Sequence, residues 1–205
     1  PVAFKSRLDL KYKDIRKGET WGRDFECAWF NITGRVPSEW AGACVALHLD
    51  LHGESCVFDK EGTPIYGLTT GSIFATRQSK TIYRFLPECK GGEDVNFWVE
   101  AGANGLFGLK LDKDPAENCP QKYGAYEGKV IELELVKFNM EAWRLVQDLV
   151  ALLSLIDGYG KAHSPRRNSV IRTVNRAIDV YADDPANLAA VRAILKETFD
   201  VPANP

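Results

Sequence analysis

The hydrophobic period of this chain changes once, near Phe138, and that change limits the folds open to it. Up to about residue 137 short runs of aromatic and β-branched residues alternate with Gly, Pro and Asp. That is the pattern of strands closed by turns. Phe25 to Ile32, Val45 to Leu51, Ser55 to Asp59, Thr81 to Leu86, Val95 to Ala101 and Val130 to Lys137 read as strands, with Asp59-Lys60-Glu61-Gly62 as a turn between two of them. No helical period interrupts the series. The expected fold is mainly β, an antiparallel β-sandwich of jelly-roll type rather than a closed barrel, over residues 1–138.

After Phe138 apolar residues recur at three and four, the spacing of a helix face. Asn139 is a helix cap, and Met140, Trp143, Val146, Leu149, Val150, Leu153 and Ile156 are the expected buried stripe, ended by Asp157-Gly158. Ser164-Pro165 and Asp184-Pro185 each pair a cap with a proline at the first helical turn. The helices they open carry Val170, Val174, Ala177, Ile178 and Tyr181, then Leu188, Val191, Ile194, Leu195 and Phe199. Residues 139–205 thus read as a C-terminal helical segment, one too short to bury much by itself and expected to lean on something else.

Charge removes several function classes. Lys+Arg 26 against Asp+Glu 28, without runs of one sign, offers no basic footprint for nucleic acid and no polybasic patch for a membrane surface. No apolar run reaches the roughly 18 residues of a spanning helix, and the opening Pro1-Val2-Ala3-Phe4 does not start a secretory signal. The five cysteines (27, 44, 56, 89 and 119) include no Cys-x-x-Cys pair and read as reduced thiols of a cytoplasmic protein. Asn31-Ile32-Thr33, formally a glycosylation acceptor, falls inside an expected strand and is read as incidental.

Three groupings bear on chemistry. A single strand from Leu47 to Glu54 would put His48, Asp50, His52 and Glu54 on one face. His48 with Asp50, or His52 with Glu54, can then offer two metal ligands each, and a solvated strand face is the reading preferred. Glu132 with Glu134, or Asp112 with Asp114, resembles an acid and base pair for glycoside chemistry, but Glu132 and Glu134 alternate with Ile131, Leu133 and Leu135 as a wet face does. No Gly-x-Ser-x-Gly elbow or Walker-type glycine run is present, so the residues display no catalytic or metal site.

Among five tryptophans Trp98 stands out, because Val95, Phe97, Val99 and Ala101 define the other face of its strand. Trp98 lies instead beside Asn96 and Glu100, where a ring can stack on a sugar. The strand runs into Ala101-Gly102-Ala103 and turns at Asn104-Gly105, a tight hairpin signal. Small residues ahead of the turn and Phe107-Gly108 behind it suit a loop lying flat against a partner. Glu100, Asn104, Phe107 and Trp98 are therefore the candidate substrate or domain-interface residues.

Read in order, Gly18-Glu19-Thr20-Trp21-Gly22, Ala28-Trp29-Phe30, Val36-Pro37-Ser38-Glu39-Trp40-Ala41-Gly42, Gly53-Glu54, Phe58-Asp59-Lys60-Glu61-Gly62-Thr63-Pro64, Gly67-Leu68-Thr69 and Glu100-Ala101-Gly102-Ala103-Asn104-Gly105-Leu106-Phe107-Gly108 resemble the N-terminal region of α-mannosidases of glycoside hydrolase family 38. The branch resembled is the cytosolic or vacuolar type. The resemblance covers roughly residues 15 to 138 by motif and the helical tail by position.

It implies a galactose-binding-like sandwich set before a metal-dependent catalytic domain that removes α-mannose from oligosaccharides with retention. In that family His and Asp side chains hold zinc and an Asp is the nucleophile, in a stretch like Gly-His-x-His-x-Asp. No His-x-His-x-Asp occurs in this sequence, so no catalytic or metal residue carries over. The chain reads as the non-catalytic N-terminal domain of such an enzyme, with no cofactor of its own and with zinc or another divalent metal implied for the catalytic domain. The helical segment then leads toward that domain. Expected partners are the catalytic domain and the oligosaccharide substrate, with homo-oligomerisation left open. Two alternatives stand: a carbohydrate-binding module anchored on Trp98, and an unrelated enzyme or interaction domain on a sandwich scaffold.

Overall fold

A computed structural model describes residues 2–23, 25–70, 79–104, 126–160 and 164–200. The chain forms two compact units, Pro1–Phe138 and Asn139–Pro205. In the first, the described strands are β1 (Thr20–Arg23), β2 (Cys27–Arg35), β3 (Val45–Asp50), β4 (Glu54–Phe58), β5 (Pro64–Thr69), β6 (Ile82–Leu86), β7 (Asp94–Gly102), β8 (Glu127–Lys129) and β9 (Glu132–Lys137). They pair antiparallel in the orders β2-β7-β4-β5 and β6-β3-β9, with β1-β8 as a separate ribbon. The expected fold class, mainly β and antiparallel with helices after it, is what the chain adopts.

Register explains the core. Opposite Val99 on β7 lie Phe30 on β2 and Val57 on β4, so one face of three strands points inward together. Leu47, Leu49, Leu51, Val57, Leu68, Val99, Ala101 and Val130 make the buried cluster this produces. A second cluster, Val36, Val45, Cys89 and Val95, continues it. Trp21 adds a wedge: its indole N–H donates to the Leu51 carbonyl at 2.9 Å while its ring occupies the place where a Cβ on Gly128 would stand.

The expected strand from Leu47 to Glu54 is broken. β3 ends at Asp50 and β4 begins at Glu54, because the chain turns at His52, whose φ of 53° is left-handed. The turn is fastened by Asp50, whose Oδ1 accepts from the His52 N–H and the Thr70 hydroxyl, both at 2.8 Å. Gly53 is obligatory beside it, since a Cβ there would sit 2.3 Å from the Gly102 carbonyl oxygen. Phe25 likewise leaves the expected strand: with φ 62° it forms the corner between β1 and β2. The Asp59–Gly62 turn forms as expected, Asp59 Oδ1 accepting from the N–H groups of Glu61 and Thr63 at 3.0 and 2.8 Å.

The second unit is three helices, α1 (Met140–Gly158), α2 (Pro165–Tyr181) and α3 (Leu188–Phe199). The caps are those expected: Asn139 accepts from the Ala142 N–H at 2.9 Å, Ser164 from Arg167 at 3.3 Å and Asp184 from Ala186 at 2.8 Å. The stripe expected for α1 is corrected. Leu145 and Leu152 are buried with Leu149 and Ile156 against Val170, Val174 and Ala177 of α2 and Val191 and Leu195 of α3. Trp143, Val146, Val150 and Leu153 are exposed instead. Helix α1 carries two apolar stripes one position, or about 100°, apart, and the bundle uses only one.

Candidate functional site

The outer face of the β2-β7-β4 sheet carries the sequence-predicted residues, and register decides their company. Across that face lie Asn31, Trp98 and Phe58, then Trp29, Glu100 and Cys56, then Cys27, Gly102 and Glu54. Trp98 and Glu100 are thus neighbours on one face, as expected, but they have different fates.

The Trp98 end is packed in part by the protein itself. A 3-10 turn over Phe4–Asp9 lies on it. Phe4 packs 5.7 Å from Trp29 and 5.6 Å from Phe58, ring centre to ring centre, and the Trp29 indole donates to the Val2 carbonyl at 2.8 Å. The Arg7 guanidinium lies 3.5 Å from the Phe4 ring centre and 4.4 Å from that of Trp98, while Tyr12 meets Trp98 edge-on at 5.7 Å. Gly62 makes room, since a Cβ there would stand 2.5 Å from the Phe4 ring. The Trp98 face is thus packed in part by the protein's own N-terminal segment, and its ring stays half-buried in the lining of the larger trough described below.

The other end is a hollow of about 510 Å³ lined by Phe25, Glu54, Cys56, Glu100, Gly102 and Asn104. Asn104 donates from Nδ2 to Glu54 Oε2 at 3.4 Å, and its amide oxygen lies over Gly102 where a Cβ would be 2.8 Å away. Burial, and then the charge of Glu100, push the Cys56 thiol pKa up, so its sulfur is a poor nucleophile here. Glu100 and Asn104 both line this hollow; Gly105 and Phe107, and with them the hairpin turn, lie outside the described residues, as do Asp112, Asp114 and Cys119. Sequence reasoning missed Phe25 and Glu54 at this hollow. No local signal marked Phe25, which reads as the first residue of a strand and is an exposed ring at the corner before β2.

A larger trough of about 1450 Å³ runs along the described edge strands β2 and β9, with Tyr12, Ile15, Phe30, Ile32, Leu133 and Leu135 in its walls. Its lining joins half-buried apolar side chains and Trp98 to charged groups, among them Arg16, Glu26, Glu100 and Glu134.

The single strand face behind the metal pairings drawn from the sequence does not form. Asp50 is consumed by the β3–β4 turn, and His52 Nδ1 lies 2.9 Å from the Glu127 carbonyl. His48 instead faces Glu134 across β3 and β9, with Nδ1 3.4 Å from Oε1. His48, Glu132 and Glu134 each offer a ligand atom within 4.8 Å of the others. Lys17 already holds Glu132 at 2.5 Å, and that hydrogen bond keeps the carboxyl below its ordinary range. The three side chains are half-buried or exposed, and Lys17 competes for Glu132. Asn31 of the formal glycosylation triplet sits within β2 and donates to Asn96 at 2.9 Å.

These features define a jelly-roll sandwich with a helical appendage, built around packing and surfaces. Residues 1–132 match the family described as "Alpha-mannosidase, jelly roll domain". The chain belongs to that family and is an α-mannosidase jelly-roll domain with helices after it. It is 27% identical to alpha-mannosidase 2C1 of Homo sapiens over 188 residues, which is 90% of this chain and 17% of the human protein. With alpha-mannosidase 2C1 of Mus musculus the identity is 24% over 201 residues, 97% of this chain and 18% of that protein. Alpha-mannosidase G of Dictyostelium discoideum is 30% identical over 111 residues, 54% of this chain and 10% of its own length. The chain thus spans less than a fifth of the curated relatives it matches.

Proposed function

We propose that this chain is the non-catalytic N-terminal domain of a retaining α-mannosidase that hydrolyses α-mannosidic bonds in oligosaccharides, and that it supports the catalytic domain and its assembly. The observation that carries the reading is the family match over 1–132, beside an aromatic outer face that the N-terminal segment partly packs. On this reading the working partner is the catalytic domain, which supplies the zinc or other divalent metal, in a cytoplasmic enzyme. The test compares the longer enzyme with and without residues 1–138. Aryl α-mannoside hydrolysis should be absent from the isolated chain. Deletion should lower the yield and melting temperature of the enzyme, and a deletion that left both unchanged would contradict the supporting role.

One observation favours a second reading, a carbohydrate-binding module. The hollow presents two carboxylates, an anchored amide and an exposed ring, groups that suit sugar hydroxyls and a sugar face. Titration of the chain with mannose and mannobiose, followed by amide chemical shifts at Glu100 and Asn104, separates the two: saturable shifts there favour the module, and silence at high sugar concentration removes it.

A further inference from the structure

The second apolar stripe of α1 has no role within the helical unit. Val146, Val150 and Leu153 are 52%, 40% and 47% exposed, although each follows a residue that packs into the bundle: Leu145, Leu149 and Leu152. Three large apolar side chains at i, i+4 and i+7 form one continuous strip along about two turns of helix. Single exposed apolar residues are ordinary on any surface; a strip in helical register is the mark of a face that packs.

The flanks are ordered for it. Arg192 of α3 reaches Asp148 at 2.9 Å and Glu141 at 2.8 Å, and Glu141 also holds Arg144 at 2.7 Å. These ion pairs tie the polar side of α1 to the bundle and so fix which way the strip faces.

We propose that this strip is the docking face for the remainder of the longer α-mannosidase chain, packing against an apolar surface of its catalytic region. The proposal rests on the reading of this chain as part of such an enzyme. Two facts select that occupant over a second copy. The similarity to the mouse and human relatives extends through the helical unit, and more than four-fifths of their length lies outside the matched part. A covalently attached partner also acts at an effective concentration near the millimolar range, so it needs far less contact area than a free one.

The test is the double substitution Val146→Glu, Leu153→Glu, made both in residues 1–205 and in the full-length enzyme. In the shorter chain the melting temperature and sedimentation coefficient should be unchanged. In the full-length enzyme the melting temperature should fall by several degrees, and Val146→Ala, Leu153→Ala should fall less. An unchanged full-length melting temperature would overturn the proposal. So would concentration-dependent dimerisation of the short chain that the charges abolish, since that assigns the strip to a second copy. Aryl α-mannoside hydrolysis by the wild-type full-length protein is measured alongside: its absence would sink the enzymatic reading while leaving the docking result to stand or fall on the melts.

Discussion

The sandwich and the helical unit treat their surplus apolar surface in opposite ways. The sandwich has an aromatic outer face, and it covers Trp29, Phe58 and Trp98 with Phe4 and Arg7 from its own N-terminal segment. The helical unit has a second stripe on α1 and leaves it in solvent. Within the bundle each helix turns one stripe to the other two: Leu145 and Leu152, then Val170, Val174 and Ala177, then Val191 and Leu195. An amphipathic pattern therefore shows that a face will pack without showing what it packs against. That depends on how much chain is at hand.

The sharpest way to break this contrast is to truncate one residue from each stripe of α1. Leu152→Ala empties a site that is 1% exposed and should cost about 2–5 kcal/mol in urea unfolding followed by circular dichroism. Val150→Ala in the same chain should stay within about 0.5 kcal/mol. Equal losses would mean that both stripes are packed within this chain.

The sandwich side is probed by Phe4→Ala, which uncovers the aromatic face and should cost about 2 kcal/mol. Iodide should then quench tryptophan fluorescence more strongly, and unchanged quenching would show that the cover does not depend on this ring. Gly62→Ala should act in the same direction, because its Cβ takes the space of the Phe4 ring.

Smaller effects sharpen the picture of how α1 is set. Asn139→Ala removes the cap on Ala142 and should cost about 1 kcal/mol of helical-unit stability. Hydrogen bonds from Arg192 and Arg144 hold the Glu141 carboxyl below its ordinary range. A lowered folded-state pKa contributes stability above the unfolded value and loses it as pH falls through the folded one. The helical unit should thus melt at slightly lower temperature on acidification, with Glu141→Gln flattening that slope. The group is exposed, so the effect should be small and should fade in high salt.

Sequence made the fold class readable because period two and period three to four are written in different halves of the chain. Caps were equally legible, since Asn139, Ser164 and Asp184 act through their nearest neighbours. β1 and β8 escaped notice, being short, rich in Gly or charge and paired with each other far along the chain, and β5 escaped because it opens on Pro64 and is interrupted by Gly67, although its partner is the preceding strand. The break at His52 was hidden because a left-handed residue there depends on Gly53 meeting the Gly102 carbonyl, a contact no local pattern records. For α1 both stripes satisfy the same helical period, so pattern alone had no means to choose between Leu145-Leu152 and Val146-Leu153. Strand alternation set Trp98 and Glu100 on one face, whereas the hollow joins Glu100 to Asn104 beyond the end of β7; the packing of Trp98 turned on a segment more than eighty residues earlier in the chain.

Hydrogen exchange, measured on residues 1–205 and on the full-length enzyme under one set of conditions, tests the central contrast most directly. A self-contained sandwich predicts equal protection of β3 and β7 in the two proteins, whereas a helical unit completed by the rest of the enzyme predicts α1 amides roughly tenfold slower in the full-length protein. Equal exchange of α1 in both would contradict the account.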